Sequence, residues 1–223
     1  SAANSLVGST ASDQIGNGGI TALSNGNYVA GSSNWDNGAV TDAGAVTWGN
    51  GAGGTVGAVS AANSLVGSSA SDGVGGFSGG GVFVLSNGNY VVASTNWDNG
   101  AVTNVGAVTW GNGAGGTVGA ISATNSLVGS TASDGVGNVS SGVVIALSNG
   151  NYVVGSPNWD NGAVTNAGAA TWGNGTGGTV GAVSAANSLV GSTANDGVGS
   201  RMGGSVTALS NGNYVVASPN WDN

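Results

Sequence analysis

Residues 142–156 read Gly-Val-Val-Ile-Ala-Leu-Ser-Asn-Gly-Asn-Tyr-Val-Val-Gly-Ser, with two short apolar runs on either side of Asn149-Gly150. Short runs rich in β-branched and aromatic residues, bounded by Gly, Asn and Ser, are typical of strands. Asn-Gly between two such runs predicts a tight antiparallel hairpin with a type I′ turn, in which both central residues have positive φ. The runs are continuously apolar rather than alternating, which indicates a sheet buried on both faces.

This hairpin recurs along the chain at Asn25-Gly26, Asn87-Gly88 and Asn211-Gly212. The octapeptide Ser-Ala-Ala-Asn-Ser-Leu-Val-Gly at residues 1–8 also returns, with one substitution, from Ser60, Ser122 and Ser184. The chain is therefore a single array of repeats 1–59, 60–121 and 122–183 with a partial repeat at 184–223. We expect it to be a fragment of a longer array or one half of a closed ring. A period above about 50 residues is typical of a propeller blade or of several solenoid coils.

The third repeat contains two further apolar runs, 126–130 and 167–172, which gives four predicted strands per repeat. No run has the length and 3.6-residue period of a helix. The sequence therefore predicts an all-β fold, a β-propeller of four-stranded antiparallel blades with about 62 residues each. A parallel β-solenoid is the alternative. The propeller is favoured because an Asn-Gly hairpin interrupts a one-way coil.

The composition restricts the function more than it identifies it. Only 4% of the 223 residues are charged and the net charge is −8, against about 25% charged residues in ordinary domains. One Lys-or-Arg residue in the chain excludes the phosphate contacts of nucleic-acid binding. No stretch is apolar for long enough to predict membrane insertion by a helix. His, Cys, Lys and Glu are all absent, so the usual acids, bases and nucleophiles are missing and we expect no enzyme.

The order of motifs resembles a known family. A Gly-Val-x-x-Leu strand is followed by the Asn-Gly turn, Tyr-Val-Val-Gly-Ser-Pro, Asn-Trp-Asp-Asn and Ala-Gly-Ala-x-Thr-Trp-Gly-Asn-Gly. This order is similar to the FG-GAP repeat of integrin α-type β-propellers, which implies a propeller with calcium loops. The corresponding turn here, residues 147–152, has no carboxylate. We therefore expect no cofactor, with weak calcium binding as the alternative. The near-identical repeats also resemble large secreted bacterial adhesins of the filamentous-haemagglutinin kind.

Two sets of repeated side chains are candidate sites. The first is the Trp-Asp pair of each Asn-Trp-Asp-Asn loop, where an exposed indole beside a carboxylate would suit a sugar ring; the alternative is a Trp packed over its blade edge, with its N–H bonded to a carbonyl. The second is the Asp of each Ser/Asn-Asp-x-x-Gly turn, which either caps turn N–H groups or contributes to the weak calcium site. The ligand-binding candidates are Trp35, Asp36, Trp97, Asp98, Trp159, Asp160, Trp221 and Asp222. The turn and calcium candidates are Asp13, Asp72, Asp134 and Asp196.

Other aromatic residues are interpreted as structural. The tryptophans of the fourth run are predicted to pack inside the fold, and the tyrosines after the Asn-Gly turn are predicted to pack with the hydroxyl at the rim. The tryptophans are Trp48, Trp110 and Trp172, and the tyrosines are Tyr28, Tyr90, Tyr152 and Tyr214.

Two functional hypotheses follow. The first is a non-enzymatic structural and adhesive repeat module of a secreted or surface-displayed bacterial protein. The alternative is a multivalent glycan-binding propeller that uses the Asn-Trp-Asp-Asn loops. The expected partners are further copies of the chain, together with glycans or host and cell-surface molecules.

Overall fold

The computed structural model describes residues 1–76, 80–140, 143–201 and 206–222. These ranges contain eighteen β-strands and no helix, in agreement with the all-β prediction. In chain order the strands are β1 (Leu6–Val7), β2 (Ile20–Ala22), β3 (Tyr28–Ser32), β4 (Ala45–Gly49), β5 (Gly57–Ala58), β6 (Ser64–Val66), β7 (Gly81–Val84), β8 (Tyr90–Ser94), β9 (Ala107–Gly111), β10 (Gly119–Ala120), β11 (Ser126–Val128), β12 (Val143–Ala146), β13 (Tyr152–Ser156), β14 (Ala169–Gly173), β15 (Gly181–Ala182), β16 (Ser188–Val190), β17 (Val206–Ala208) and β18 (Tyr214–Val216). Gly142, the first residue of the predicted hairpin, lies outside the described residues.

The sheets are out of phase with the repeats read from the sequence, because each sheet combines strands A, B and C of one sequence repeat with strand D of the next. From here on, a repeat means this structural unit, which runs from strand A to strand D and forms one antiparallel sheet. Its strands run in the order A, B, C, D across the sheet, with A being β2, β7 or β12, B being β3, β8 or β13, C being β4, β9 or β14, and D being β6, β11 or β16. The ends of the chain add a D strand, β1, and an A–B pair, β17 and β18. This meander of four short strands is the predicted repeat architecture, and it excludes a parallel solenoid for the described ranges, because successive strands reverse direction.

A fifth, two-residue strand was not predicted. This E strand (β5, β10 or β15) lies between C and D in the chain, but it pairs in parallel with the D strand of the preceding repeat. Leu65 aligns with Gly119, and Leu127 with Gly181. Each repeat thus adds a strand to its neighbour's sheet. The signal is weak because Gly-Ala carries almost no strand propensity.

The A–B hairpin forms as predicted, but its turn is not type I′. In the third repeat Gly150 N donates to Leu147 O at 3.1 Å and Leu147 N donates to Asn151 O at 2.8 Å. Gly150 has φ +87°, whereas Asn149 is not among the described residues with positive φ. The turn is therefore a three-residue loop, a type I turn followed by a left-handed glycine, which also matches strand twist. The Asn149 side chain supports it by accepting the Asn151 N–H at 3.1 Å.

Both faces of the sheets are buried, as the continuous apolar runs predicted. In the second sheet Val91 and Val92 belong to different apolar clusters, one on each side of the sheet. The cluster containing Val91 also contains Tyr152 and Trp159 of the next repeat. Complete burial of one such aliphatic side chain contributes roughly 1.5–3 kcal/mol. The core is thus a series of apolar layers between successive repeats rather than one central cluster.

Neighbouring sheets approach each other most closely at their A–B hairpins. Ser86 Oγ donates to Ser148 O at 3.3 Å, and Ser148 Oγ donates to Ser210 O at 3.2 Å. Sheets that pack face to face are normally about 10 Å apart, a spacing that such direct bonds do not span. Away from the hairpins, the layer holds whole aromatic side chains such as Trp159. The A strands of neighbouring sheets also lie close together, so the layers are narrow at this edge of the sheets. No helix in the described ranges is long and apolar enough to cross a membrane.

Candidate functional site

The Asp of the loop between strands D and A is a buried acceptor of hydrogen bonds. Asp134 Oδ2 accepts the N–H groups of Ser130 at 2.6 Å and Thr131 at 2.8 Å, and its Oδ1 accepts the Thr131 hydroxyl at 2.6 Å. Oδ1 also accepts the N–H of Asp160, in the next repeat, at 3.1 Å. The carboxylate therefore caps its own turn, as one interpretation of the sequence predicted, and also ties two consecutive sheets together.

The other three aspartates of this set make the same contacts with one exception. Asp13 and Asp196 accept two N–H groups and a Thr hydroxyl from their own turn, and one N–H from the next repeat. Ser69 stands where the other three turns have Thr, and Asp72 accepts only the three backbone N–H groups.

The pKa values follow this difference. Burial raises the pKa of Asp72, and its backbone hydrogen bonds do not offset that effect. Burial also acts upward on the pKa of Asp13, but the hydroxyl and N–H of Thr10, with two further N–H donors, hold it below its usual value. The hydroxyl of Thr193, its N–H and the other donors lower the pKa of Asp196 to about 2. At Asp13 and Asp196, therefore, the Thr hydroxyl helps to favour the ionised carboxylate, whereas Asp72 lacks that donor.

Three of the four aspartates that follow a loop Trp have a local partner as well. Asp36, Asp98 and Asp160 each accept, through Oδ1, the N–H of the residue six positions later, at 2.9, 2.7 and 2.7 Å. In the last repeat Asp222 is exposed. Within the described ranges, no group of three or more potential metal-ligating side chains is found. A calcium site that pairs one aspartate of each set would have to compete with these hydrogen bonds for the same oxygens.

The loop tryptophans do not form the exposed platform that glycan binding requires. Trp35, Trp97 and Trp159 are 3%, 2% and 3% exposed and lie in the apolar layers between sheets. Their indole N–H groups have no hydrogen-bond partner in the described structure. The prediction that these three tryptophans form an exposed platform is therefore wrong. The alternative, a Trp packed in the fold, is right about the packing but wrong about the carbonyl that was expected to accept the indole N–H. Trp221 is 53% exposed.

The tryptophans of strand C make the contact expected of the loop set. Trp48 and Trp110 are partly buried and donate their indole N–H to the carbonyls of Gly113 and Gly175, in the following repeat, both at 2.9 Å. The predicted packing is confirmed for Trp48 and Trp110, which lie against the apolar clusters and in addition join neighbouring repeats. Trp172 is 42% exposed, contrary to the prediction.

Each of these glycine carbonyls accepts three donors. Gly175 O accepts Trp110 Nε1, Asn87 Nδ2 at 2.8 Å and Asn89 Nδ2 at 2.9 Å. Gly113 O accepts the equivalent donors of the first repeat at similar distances. The sequence analysis used these asparagines only as turn formers. Their recurrence in every Leu-Ser-Asn-Gly-Asn-Tyr turn was the available signal for a role between repeats.

Two of the four tyrosines after the turn are buried to the hydroxyl, contrary to the predicted rim position, whereas Tyr28 and Tyr214 are partly exposed. Tyr90 and Tyr152 are fully buried, and their rings fill the space where a side chain on Gly111 or Gly173 would lie. Burial raises the pKa of Tyr90 and Tyr152 to about 12. Glycine at the end of strand C is therefore required by close packing and not by backbone conformation.

Comparison with known proteins gives one family. The family described as "Repeat of unknown function (DUF5650)" matches residues 1–17, 22–76, 84–138, 146–200 and 208–223, which together make up most of the chain. The three full matched segments are equal in length, and they follow one another at the spacing of the repeats. This match establishes a tandem-repeat protein and gives no support to FG-GAP or integrin-type identity. No curated protein matches the chain. The chain therefore belongs to the DUF5650 family of repeats.

Proposed function

We propose that this chain is a non-enzymatic structural and adhesive repeat module of a secreted or surface-displayed bacterial protein. The observation that carries the proposal is that its most reactive side chains recur in every repeat and already have structural partners. The buried aspartates each accept three to five hydrogen bonds, and three of the four loop tryptophans are core residues. A residue that repeats in every unit and holds neighbouring units together serves the array rather than one reaction centre.

Proteolysis of the native chain tests this function. The E strands and the hydrogen bonds between repeats make the repeats one continuous body, so a broad-specificity protease such as subtilisin should leave the region 1–200 intact long after it has degraded the urea-unfolded chain. Release of separate fragments of one repeat each would contradict a stiff module. Sugar-specific retention on a glycan array, or turnover of any glycoside or ester substrate, would replace the structural function with a lectin or an enzyme.

We also propose that the array curves around an axis near the A–B hairpins, as the blades of a propeller do. Support comes from the close approach of neighbouring sheets at strand A and the hairpins. One groove also has in its lining the equivalent serines of all four hairpins, Ser24, Ser86, Ser148 and Ser210. Ser24 and Ser210 are separated by three layers. They would lie about 30 Å apart if the sheets were stacked in a straight line, and much closer if the stack is curved.

Spin labels test the curvature directly. The chain has no Cys, so Ser24→Cys with Ser210→Cys gives one labelled pair at the hairpin edge. We expect an electron–electron distance clearly below about 30 Å. A control pair, Val56→Cys with Val180→Cys, lies on the opposite side of strand C and spans only two layers, or about 20 Å in a straight stack. The curved arrangement would be refuted if both pairs gave the distances of a straight stack.

A further inference from the structure

Asparagine followed by glycine is a chemically labile pair, and it occurs eleven times in this chain. The backbone nitrogen of the glycine can attack the side-chain amide of the asparagine, since glycine has no side chain to hinder the approach. Asparagine is for this reason a thermolabile residue. Which pairs react in the folded chain depends on whether that nitrogen is free. The asparagines are Asn17, Asn25, Asn37, Asn50, Asn87, Asn99, Asn112, Asn149, Asn161, Asn174 and Asn211.

Eight of the eleven glycine nitrogens are engaged in hydrogen bonds. In the A–B hairpins the glycine N–H donates to a leucine carbonyl, as Gly88 N does to Leu85 O at 3.2 Å. After strand C it donates to an asparagine side chain, as Gly113 N does to Asn89 Oδ1 at 3.0 Å. An attack by any of these nitrogens first requires that its hydrogen bond is broken. The engaged glycines are Gly18, Gly26, Gly51, Gly88, Gly113, Gly150, Gly175 and Gly212.

The other three glycines lie in the loops between strands B and C. The N–H groups of Gly38, Gly100 and Gly162 have no acceptor among the described residues, and all three glycines are exposed. Each follows the last asparagine of an Asn-Trp-Asp-Asn loop. Apart from chain neighbours, no heavy atom lies within 4 Å of the position that a Cβ would occupy there. In these loops the attacking nitrogen is therefore free and reached by solvent.

Asn99 is the least protected of the three loop asparagines. The side-chain amides of Asn37 and Asn161 donate to the carbonyls of Gly67 and Gly191, at 3.2 and 3.4 Å. Within the described residues Asn99 makes no such bond, and it is exposed, whereas the other two asparagines are partly buried. The Asn99 side chain can therefore turn towards the nitrogen of the next residue without breaking a contact.

We propose that Asn37, Asn99 and Asn161 are sites of spontaneous deamidation, that Asn99 reacts first, and that the fold protects the other eight pairs. The glycine nitrogen gives up its proton and forms a bond to the asparagine Cγ, while the Cγ–Nδ2 bond breaks and the amide leaves with that proton as ammonia. Water then opens the resulting five-membered imide to aspartate or isoaspartate. One water is consumed for each ammonia released, and nothing is oxidised or reduced.

The protected pairs include the asparagines that join repeats. Asn87 Nδ2 donates to Gly175 O at 2.8 Å, and an ionised carboxylate in its place has no proton to donate to that carbonyl. Deamidation confined to the B–C loops therefore adds negative charge to an ageing chain and leaves its joints intact. This inference goes beyond the structural function proposed above and is independent of it, because it concerns only the reactivity of loop amides.

Peptide mapping of aged, folded protein tests the proposal. The chain is kept in mildly alkaline buffer, then unfolded and digested with chymotrypsin, and aspartate and isoaspartate are measured by mass spectrometry. Cleavage after tryptophan places the three loops in peptides of different sequence, which begin at Asp36, Asp98 and Asp160. Asn99 should deamidate at least about tenfold faster than the hairpin peptide Ser-Asn-Gly-Asn-Tyr, whose turn must first open. In chain unfolded by guanidinium chloride this difference should disappear.

Asn89→Ala tests the cause of the protection, since it removes the acceptor of Gly113 N. Deamidation at Asn112 should then rise about tenfold, because the attacking nitrogen has lost its hydrogen bond. Asn50 and Asn174 are matched controls in the same molecule, since their glycines keep the equivalent acceptors. Unchanged deamidation at these two positions shows that the variant is still folded.

Four results would overturn the proposal. In the folded chain, the hairpin peptides could deamidate as fast as the loops, or the loops could stay intact over a time in which the unfolded chain deamidates. Asn99 could react no faster than Asn37 and Asn161, which would refute the proposed order. In Asn89→Ala, Asn112 could remain as unreactive as Asn50, which would refute hydrogen bonding of the attacking nitrogen as the cause.

Discussion

Replacement of Asp134 by Ala should be among the most damaging single changes in this chain. It leaves the N–H groups of Ser130, Thr131 and Asp160 without their acceptor, in a place where Asp134 itself is only 1% exposed. Each stranded buried donor costs about 1–3 kcal/mol, and the substitution leaves three of them. We therefore expect the free energy of unfolding to fall by about 3–5 kcal/mol, the lower part of their sum. That is a large part of the roughly 5–15 kcal/mol typical of a folded domain.

Urea unfolding followed by tryptophan fluorescence measures this loss, because Trp159 lies in the adjoining apolar layer. A decrease of about 3–5 kcal/mol lowers the midpoint by about 1–2 M urea at the slopes usual for such proteins. Asp134→Asn should fall between the unmodified chain and Asp134→Ala, since one amide oxygen replaces two carboxylate oxygens. Asp160→Ala is the control from the same loop pair. It removes a strong acceptor for only one N–H, that of Asn166, and should cost about 1 kcal/mol.

The reasoning would be refuted if Asp134→Ala and Asp160→Ala destabilised the chain equally, or if Asp134→Ala cost less than about 1 kcal/mol. Either result would mean that water satisfies the stranded donors and that the carboxylate does not join the two repeats. An unchanged midpoint with a lower slope would instead indicate separate unfolding of repeats, which contradicts the continuous array.

Four further expectations follow. Ser69→Thr should restore the missing hydroxyl donor to Asp72, which raises the free energy of unfolding by about 0.5–1.5 kcal/mol and lowers the pKa of that carboxyl. Urea unfolding measures the first effect and NMR titration the second, and the absence of both effects would contradict the expectation. Tyr90 and Tyr152 have a folded-state pKa of about 12, against 10.0 when unfolded. Their neutral hydroxyls therefore stabilise the fold fully below pH 10, and this stability is lost between pH 10 and 12 by about 1.4 kcal/mol per pH unit for each tyrosine. An unfolding free energy that stays constant from pH 9 to 12 would show that neither hydroxyl is buried. Trp110→Phe should lower the free energy of unfolding by no more than about 1.5 kcal/mol through its lost hydrogen bond, because two asparagine amides still donate to the shared carbonyl. A decrease above about 3 kcal/mol would mean that the indole alone joins the repeats. EDTA should leave the melting temperature unchanged, whereas a decrease reversed by calcium would establish a bound ion.

Local chemistry accounts for most of the fold that could be predicted. Val153 and Val154 follow each other without a polar residue between them, which correctly indicated a sheet covered on both faces. Asn149-Gly150 located the hairpin, although the turn type was wrong because the Asn side chain stabilises a conformation with only one positive φ. The E strand at residues 181–182 was missed because its pairing depends on a neighbour's strand edge and not on its own side chains.

The two tryptophan sets show why the site was harder to predict. Trp159 lies in a polar Asn-Trp-Asp-Asn loop and is buried, while Trp110 lies in an apolar strand and reaches across to the next repeat. The sequence shows only which residues are neighbours along the chain. Whether a Trp is buried depends on the adjacent sheet, because Trp159 enters the apolar layer shared with the second repeat.

The contacts that join repeats leave little trace in a single sequence because most of their acceptors are backbone carbonyls. Gly175 O receives donors from residues 65, 86 and 88 positions earlier, and any residue type would present the same oxygen. What selects glycine at position 175 is space, since a Cβ there would collide with the carbonyl of Gly150. The donors are neutral amides and indoles, which need no charged partner, so a chain with 4% charged residues can still join its repeats by directional bonds. The spacing of the repeats in the sequence thus predicts the size of the structural unit. How neighbouring units pack depends on which side-chain donors lie opposite which backbone carbonyls, and only the three-dimensional structure shows these pairings.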